Sequence, residues 1–161
     1  MTKMMFRIAT LILALATTQT ILHAQERESM GMDPMLGTWD VHVTVVDCND
    51  GHLIRTVRAL QLFSRDGSFS ETASTYLRGS SVGTWSHGDQ RRAYVASYWF
   101  FRYNTDGTPH SIAEGLNSMT LNPDGQSFTA KGTITDSDLA GNVISVGCVT
   151  HAATRLSGPG R

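Results

Sequence analysis

The sequence predicts an all-β domain, an eight-stranded antiparallel up-and-down β-barrel, and three observations carry that prediction. From Leu36 onward, apolar and polar side chains alternate in segments rich in Val, Thr, Phe, Tyr and Ser, the period of a strand with one buried face. Turn signals recur between these segments, at Asn49-Asp50-Gly51, Arg65-Asp66-Gly67, His87-Gly88-Asp89, Thr105-Asp106-Gly107, Pro123-Asp124-Gly125 and Ala140-Gly141-Asn142. Asp-Gly is a favoured hairpin connector because glycine takes the positive φ that the turn needs. No stretch long enough for a helix carries a 3.6-residue period. Eight consecutive strands leave two edges unless the first and last pair. A β-sandwich is the alternative, but short local connectors favour the closed barrel.

The segment before the strands has a different character. Lys3 and Arg7 precede a mostly apolar run from Ile8 to Leu22, and Leu22-His23-Ala24 ends it with a small residue, the layout of a secretory signal peptide cleaved after Ala24. The run is about 15 residues long and is broken by Thr17-Thr18-Gln19-Thr20, whereas a membrane span needs about 20. The chain is therefore expected to be exported, periplasmic or secreted, with no membrane span. Residues 1–24 form the signal, 25–35 a flexible leader containing Gly31 and Pro34, 36–157 the barrel domain, and 158–161 a tail.

Strands are expected near 38–48, 53–64, 68–77, 82–87, 92–104, 110–121, 126–136 and 143–156. The chain's 161 residues suit one domain. Its 13 basic against 14 acidic side chains argue against a nucleic-acid partner, which calls for a basic face. Export makes a disulfide the default for the two cysteines, Cys48 and Cys148. Partners in an antiparallel pair have residue numbers of constant sum. Cys48 with Cys148, and Trp39 with Arg155, give sums that differ by two, so both fit the first strand lying beside the last. Parity then puts Trp39 and Arg155 on one face and the cysteines on the other.

Gly37-Thr38-Trp39, opening the first strand, and Arg155 on the last resemble the calycin superfamily, which includes lipocalins, fatty-acid-binding proteins and avidins. The resemblance implies a lipocalin-like barrel in which Gly37 and Trp39 open the first strand and Arg155 packs across the Trp to close the base. The side-chain chemistry agrees: Trp is a large apolar plug, and Arg can stack on it while donating to carbonyls.

Propagating the buried face through the turns yields the candidate site residues. A three-residue loop at Arg65-Asp66-Gly67 sets Gln61 beside Glu71, both inward. A three-residue loop at Pro123-Asp124-Gly125 would turn Glu114 inward near Ile134, whereas a two-residue loop would flip it. His151 shares the face of Arg155. Tyr94, Tyr98 and Arg102 are further inward candidates from the fifth strand. The expected ligand-binding set is thus Gln61, Glu71, Tyr94, Tyr98, Glu114 and His151, with Glu71, Glu114 and His151 as acid/base candidates. Equally, the same residues can serve as internal hydrogen-bonding partners of a packed core.

Other chemistries find no footing. Ser80-Ser81 has no histidine placed for a triad and there is no Gly-x-Ser-x-Gly elbow. His42, His52, His87, His110 and His151 form no ligand spacing, so neither a metal nor a cofactor is expected. Trp99-Phe100-Phe101 suits core packing or an apolar ligand. The leading expectation is a binding protein whose cavity holds a small, mostly apolar molecule. A barrel-type cyclase or isomerase is the second, and a structural or inhibitory module working through its loops is the third. A barrel filled by Trp39, Phe63, Phe69 and Phe128 without a void would leave only that third reading.

Overall fold

Eight strands follow one another around a ring: β1 (Gly37–Val46), β2 (Leu53–Phe63), β3 (Ser68–Ala73), β4 (Ser81–His87), β5 (Ala93–Tyr103), β6 (Pro109–Leu121), β7 (Ser127–Ser137) and β8 (Val143–Arg155). They belong to a computed structural model that describes residues 32–157. The expected signal peptide, most of the expected leader and the tail at 158–161 lie outside the described residues. Each strand is antiparallel to the next, and β8 returns to pair with β1. The sheet is a closed barrel, not a sandwich.

Turn chemistry sets which side chains face in. Gly67 (φ 82°) closes a three-residue loop between the paired Ser64 and Ser68, which fixes Gln61 opposite Glu71 as expected. At the β6–β7 turn, Asn122 pairs with Ser127 instead of Gln126, so Pro123–Gln126 form a four-residue loop. That one added residue reverses the expected face of β6: Glu114 points outward and is exposed, while Asn117 points in and is buried. The third strand stops at Ala73 rather than continuing to residue 77.

The β1–β8 seam carries both expected pairs. Trp39 lies directly opposite Arg155, and Val46 opposite Cys148. Cys48, just past the end of β1, is disulfide-bonded to Cys148 with their Cα atoms 5.1 Å apart. The bond joins positions 100 residues apart in sequence, and it fits a non-reducing compartment.

The barrel interior is divided into two halves. At the end where β1 begins, Trp39, Phe63, Phe69, Trp85 and Phe128 pack edge to face at centroid distances of 5.0–6.1 Å. Their indole N–H groups are not left dry: Trp39 donates to Met35 O and Trp85 to Ser64 O. Met35, placed in the leader by the sequence reading, is fully buried. This half is a plug. The outer face carries His42, Arg58, Glu114 and Lys131 in mid-strand, beside exposed Leu60, Leu62, Val82, Trp99, Phe101 and Leu116. No helix among the described residues is long and apolar enough to cross a membrane. Of the aromatic triplet, Phe100 enters the core, whereas Trp99 and Phe101 lie on the outer face.

Candidate functional site

The other half of the barrel opens to solvent through a cleft of about 30 Å³. Its walls are Val43 and Val45 of β1, Val57 of β2, Phe100 of β5 and Ile134 of β7. Its polar lining is Arg55, Glu71, Thr75, Arg78, Tyr98 and Arg102. That volume holds a water or two, not a full-sized ligand. The aromatic residues therefore fill one half of the barrel but do not close the other.

Glu71 is the hub of the floor. Gln61 Nε2 donates to its Oε2 at 2.6 Å, and Arg78 Nη2 and Ser81 Oγ both reach its Oε1. Arg78 Nη2 also donates to Ser81 Oγ at 2.5 Å. With side-chain exposures of 1% and 9%, Glu71 and Arg78 form a buried ion pair, which the interior tolerates only because hydrogen bonds surround it. Arg78 lies over the Phe100 ring at 3.7 Å, and Arg102 approaches the same ring at 5.1 Å. Arg102 is itself held by both oxygens of Asp136.

Arg78 was not legible from strand alternation. In β4, Ser81 faces inward, so alternation would carry the inward face to residues 79 and 77. Instead Arg78 bridges to Arg102 in a register shifted by one from the Val82–Trp99 pairing. The extra residue in this short stretch lets Arg78 and Ser81 share one face. The signal that could have found it is the need of a buried Glu71 for a cation.

Tyr98 spans the interior because its two lateral partners, Gly83 and Gly115, have no side chains. A Cβ on Gly115 would sit 2.3 Å from the Tyr98 ring. Asn117 similarly lies over Gly132, and its Nδ2 donates to the Tyr98 hydroxyl at 3.2 Å. Burial, reinforced by the Glu71 charge, pushes the Tyr98 phenol well above its usual range, so it stays protonated. His151 on β8 is inward and buried, with a pKa lowered from 6.5 to about 4, chiefly by desolvation. The nearby Glu71 charge opposes that shift and Arg78 adds to it.

Among the described residues, Gln61 Oε1, Arg78 Nε, Ser111 Oγ, Asn117 Oδ1 and both ring nitrogens of His151 are buried with no hydrogen-bond partner in the protein. Unmet polar atoms at this density are uncommon in a packed core, where such groups are nearly always paired. Gln61 and Arg78 bond Glu71 directly, His151 feels both charges and Asn117 bonds Tyr98, which makes the floor the chemically distinctive part of the molecule. Glu71 itself is engaged by three donors, from Gln61, Arg78 and Ser81.

Of the expected site residues, Gln61, Glu71, Tyr98 and His151 come together around this floor. Tyr94 faces inward as expected but stacks with Trp85 and His87 at the plugged end, at 5.8 and 4.9 Å. Glu114 is outside the barrel and takes no part. Two further features carry less chemistry. An outer recess of about 380 Å³ between Leu60, Thr72, Ser74 and Leu156 is larger, but its charged pair, Asp40 and Arg58, is already satisfied bidentately. Asp47, Asp50 and His52 bring ligand atoms within 4.8 Å of one another at the β1–β2 turn, where the carboxylates accept turn N–H groups. That is the arrangement of a turn cap.

Compared with protein-family models, curated proteins and solved structures, the chain matches none.

Proposed function

We propose that this chain is an exported, calycin-like binding protein that takes a small, mostly apolar molecule into the open half of its barrel. One observation carries the reading: the barrel is plugged at one end, and its open end is an apolar-walled cleft that stops on a buried polar floor with unmet hydrogen-bonding atoms. The walls suit an apolar body, and the floor suits one polar group. The Arg155–Trp39 contact and Gly37 support the calycin likeness, because they occupy the positions the resemblance assigns to base closure. The disulfide and the charged-apolar-small order of residues 1–24 support export with cleavage after Ala24.

The size of the cleft restricts the occupant. A ligand that keeps the observed side-chain positions places only a head group on the floor, with its body between Val45, Val57 and Ile134 toward the mouth. Native mass spectrometry of protein purified from its own host tests the reading. The expected result is a small added mass that is lost on denaturation. A bare polypeptide mass, together with no change in thermal stability across a panel of small apolar molecules, would refute it and favour work done by the loops.

A further inference from the structure

A cleft of about 30 Å³ admits a head group but not a whole molecule, so the binding reading needs room that the closed arrangement does not offer. The inner face of β6 holds such room. Toward the open end it carries Ser111, Ala113 and Gly115, which between them put one hydroxyl and one methyl group into the interior. The Tyr98 ring fills the space over Gly115. Ser111 and Ala113 are fully buried too, and an ion pair crosses them. Arg102 on β5 sits beside Ser111 and Asp136 on β7 sits beside Ala113, so their contact spans β6, two strand spacings or about 10 Å. At that crossing Ser111 Oγ has no hydrogen-bond partner among the described residues.

The two ion pairs beside Phe100 are held with different firmness. Arg78 is bonded to both Glu71 and Ser81, and parting it from Glu71 would leave two charges buried. That pair is fixed. Arg102 is 23% exposed and Asp136 13%, and Asp136 is the only side-chain hydrogen-bond partner of Arg102 among the described residues. A change of rotamer carries the Arg102 guanidinium into water while its stem keeps apolar contact. Asp136 then retains the Ser145 hydroxyl at 3.4 Å and gains water.

We infer that Arg102 is the size gate of the binding site: swung toward the mouth, it uncovers a chamber over Ser111 and Ala113 that takes an uncharged aromatic molecule bearing one hydroxyl. This role rests on the binding reading and adds the ligand class and the residue that limits ligand size. Phe100, freed of the Arg102 cation, offers its face to a ring, with Val45 and Ile134 as further apolar walls. Ser111 Oγ both donates and accepts, which suits a ligand hydroxyl. The charges at this level cancel in pairs, Glu71 with Arg78 and Asp136 with Arg102, so they select no ion. Arg55 also lines the cleft, but it is exposed to solvent and screened.

Stopped-flow fluorescence with 2-naphthol, and titration of phenol against toluene, test the gate at pH 7. At low salt Arg102→Ala should take up 2-naphthol at least tenfold faster than the parent. Asp136→Asn, which keeps the arginine but releases it, should move the rate the same way. Salt weakens a partly exposed ion pair but not the attraction of a neutral molecule. Sodium chloride at 0.5 M should therefore speed uptake by the parent about fivefold and leave Arg102→Ala unchanged. Ser111→Ala should shrink the preference for phenol over toluene about fivefold, and an unchanged preference would overturn the placement of the hydroxyl. Equal rates in the parent and both gate variants, or an equal salt effect in all three, would overturn the gate and leave the binding reading standing. Uptake of no probe by any of these proteins would also overturn it, and native mass spectrometry would then judge the broader reading on its own.

Discussion

Arg155 lies across the indole of Trp39, its guanidinium carbon 4.1 Å from the ring centroid, and the two residues are direct partners across the β1–β8 seam. The same guanidinium donates from Nη1 to Leu36 O at 2.6 Å and from Nε to Gly125 O at 3.0 Å. One side chain therefore stacks on the plug and ties the start of β1 to the β6–β7 turn. Gly37 (φ +116°) belongs to the arrangement, since a Cβ there would meet Arg155 Nη1 at 3.2 Å in a backbone conformation that side chains disfavour.

Arg155→Ala should accordingly lower stability by about 2–3 kcal/mol, the sum of a stacking contact and two charge-assisted hydrogen bonds less their entropy. Arg155→Lys should recover only part of that, because an ammonium cannot reproduce the planar fork. Urea unfolding followed by Trp fluorescence measures both. A loss for Arg155→Ala within about 0.5 kcal/mol, the range of an ordinary surface change, would mean that the seam closes without it.

The disulfide strengthens the same seam by a different route. Cys48 and Cys148 are 100 residues apart in sequence, so the bond removes much of the freedom of the unfolded chain, worth up to about 4–5 kcal/mol in the loop-entropy model. The paired Cys48→Ser/Cys148→Ser variant should still fold, because the β1–β8 pairing persists from Trp39–Arg155 to Val46–Cys148. It should unfold at markedly lower urea, and reductant should shift the parent protein toward the variant but not shift the variant.

Glu71 and Glu114 looked alike in sequence and should behave oppositely. Glu71→Ala strands the Arg78 guanidinium in the interior and should cost about 3–5 kcal/mol. Replacing both partners, as in Glu71→Gln/Arg78→Met, should recover part of that loss, because no buried charge remains unpaired. Glu114→Gln, on the exposed outer face, should stay within about 0.5 kcal/mol of the parent. A double-mutant cycle in denaturant reads the coupling directly. Equal effects at the two glutamates would contradict the assigned register.

That contrast shows where the sequence was legible. Hairpin spacing, strand alternation and the β1–β8 seam followed from local signals, so the barrel, the disulfide and the Gln61–Glu71 pair could be read in advance. What could not be read were two insertions of one residue. Gln126 joined the β6–β7 loop through its N–H to Asp124 Oδ1, which turned Glu114 out and Asn117 in. The extra residue between Arg78 and Ser81 brought an unforeseen arginine into the core. Alternation propagates faces reliably only while the count holds, and neither insertion changes the local composition that signals a strand.

His151 supplies a test of the floor by pH. Its folded pKa of about 4 lies below the 6.5 of an exposed imidazole, because burial disfavours the charged ring. Between those two values the unfolded chain binds the proton and the folded chain does not, so acid favours unfolding. The stability linked to His151 is therefore fully present above about pH 6.5 and is lost as the pH falls toward 4, on the order of 3 kcal/mol in all. The turn and surface carboxylates Asp40, Asp47, Asp50, Asp66, Asp106 and Asp138 are shifted below 3.8, so their contribution is lost in a lower window. His151→Phe, similar in bulk and without a proton to take up, should flatten the pH 6.5–4 segment and leave the steeper loss below it. Urea midpoints at pH 7, 5.5 and 4 for the two proteins measure the difference. Parallel decline of parent and variant would assign the slope to another group and remove His151 from the buried floor.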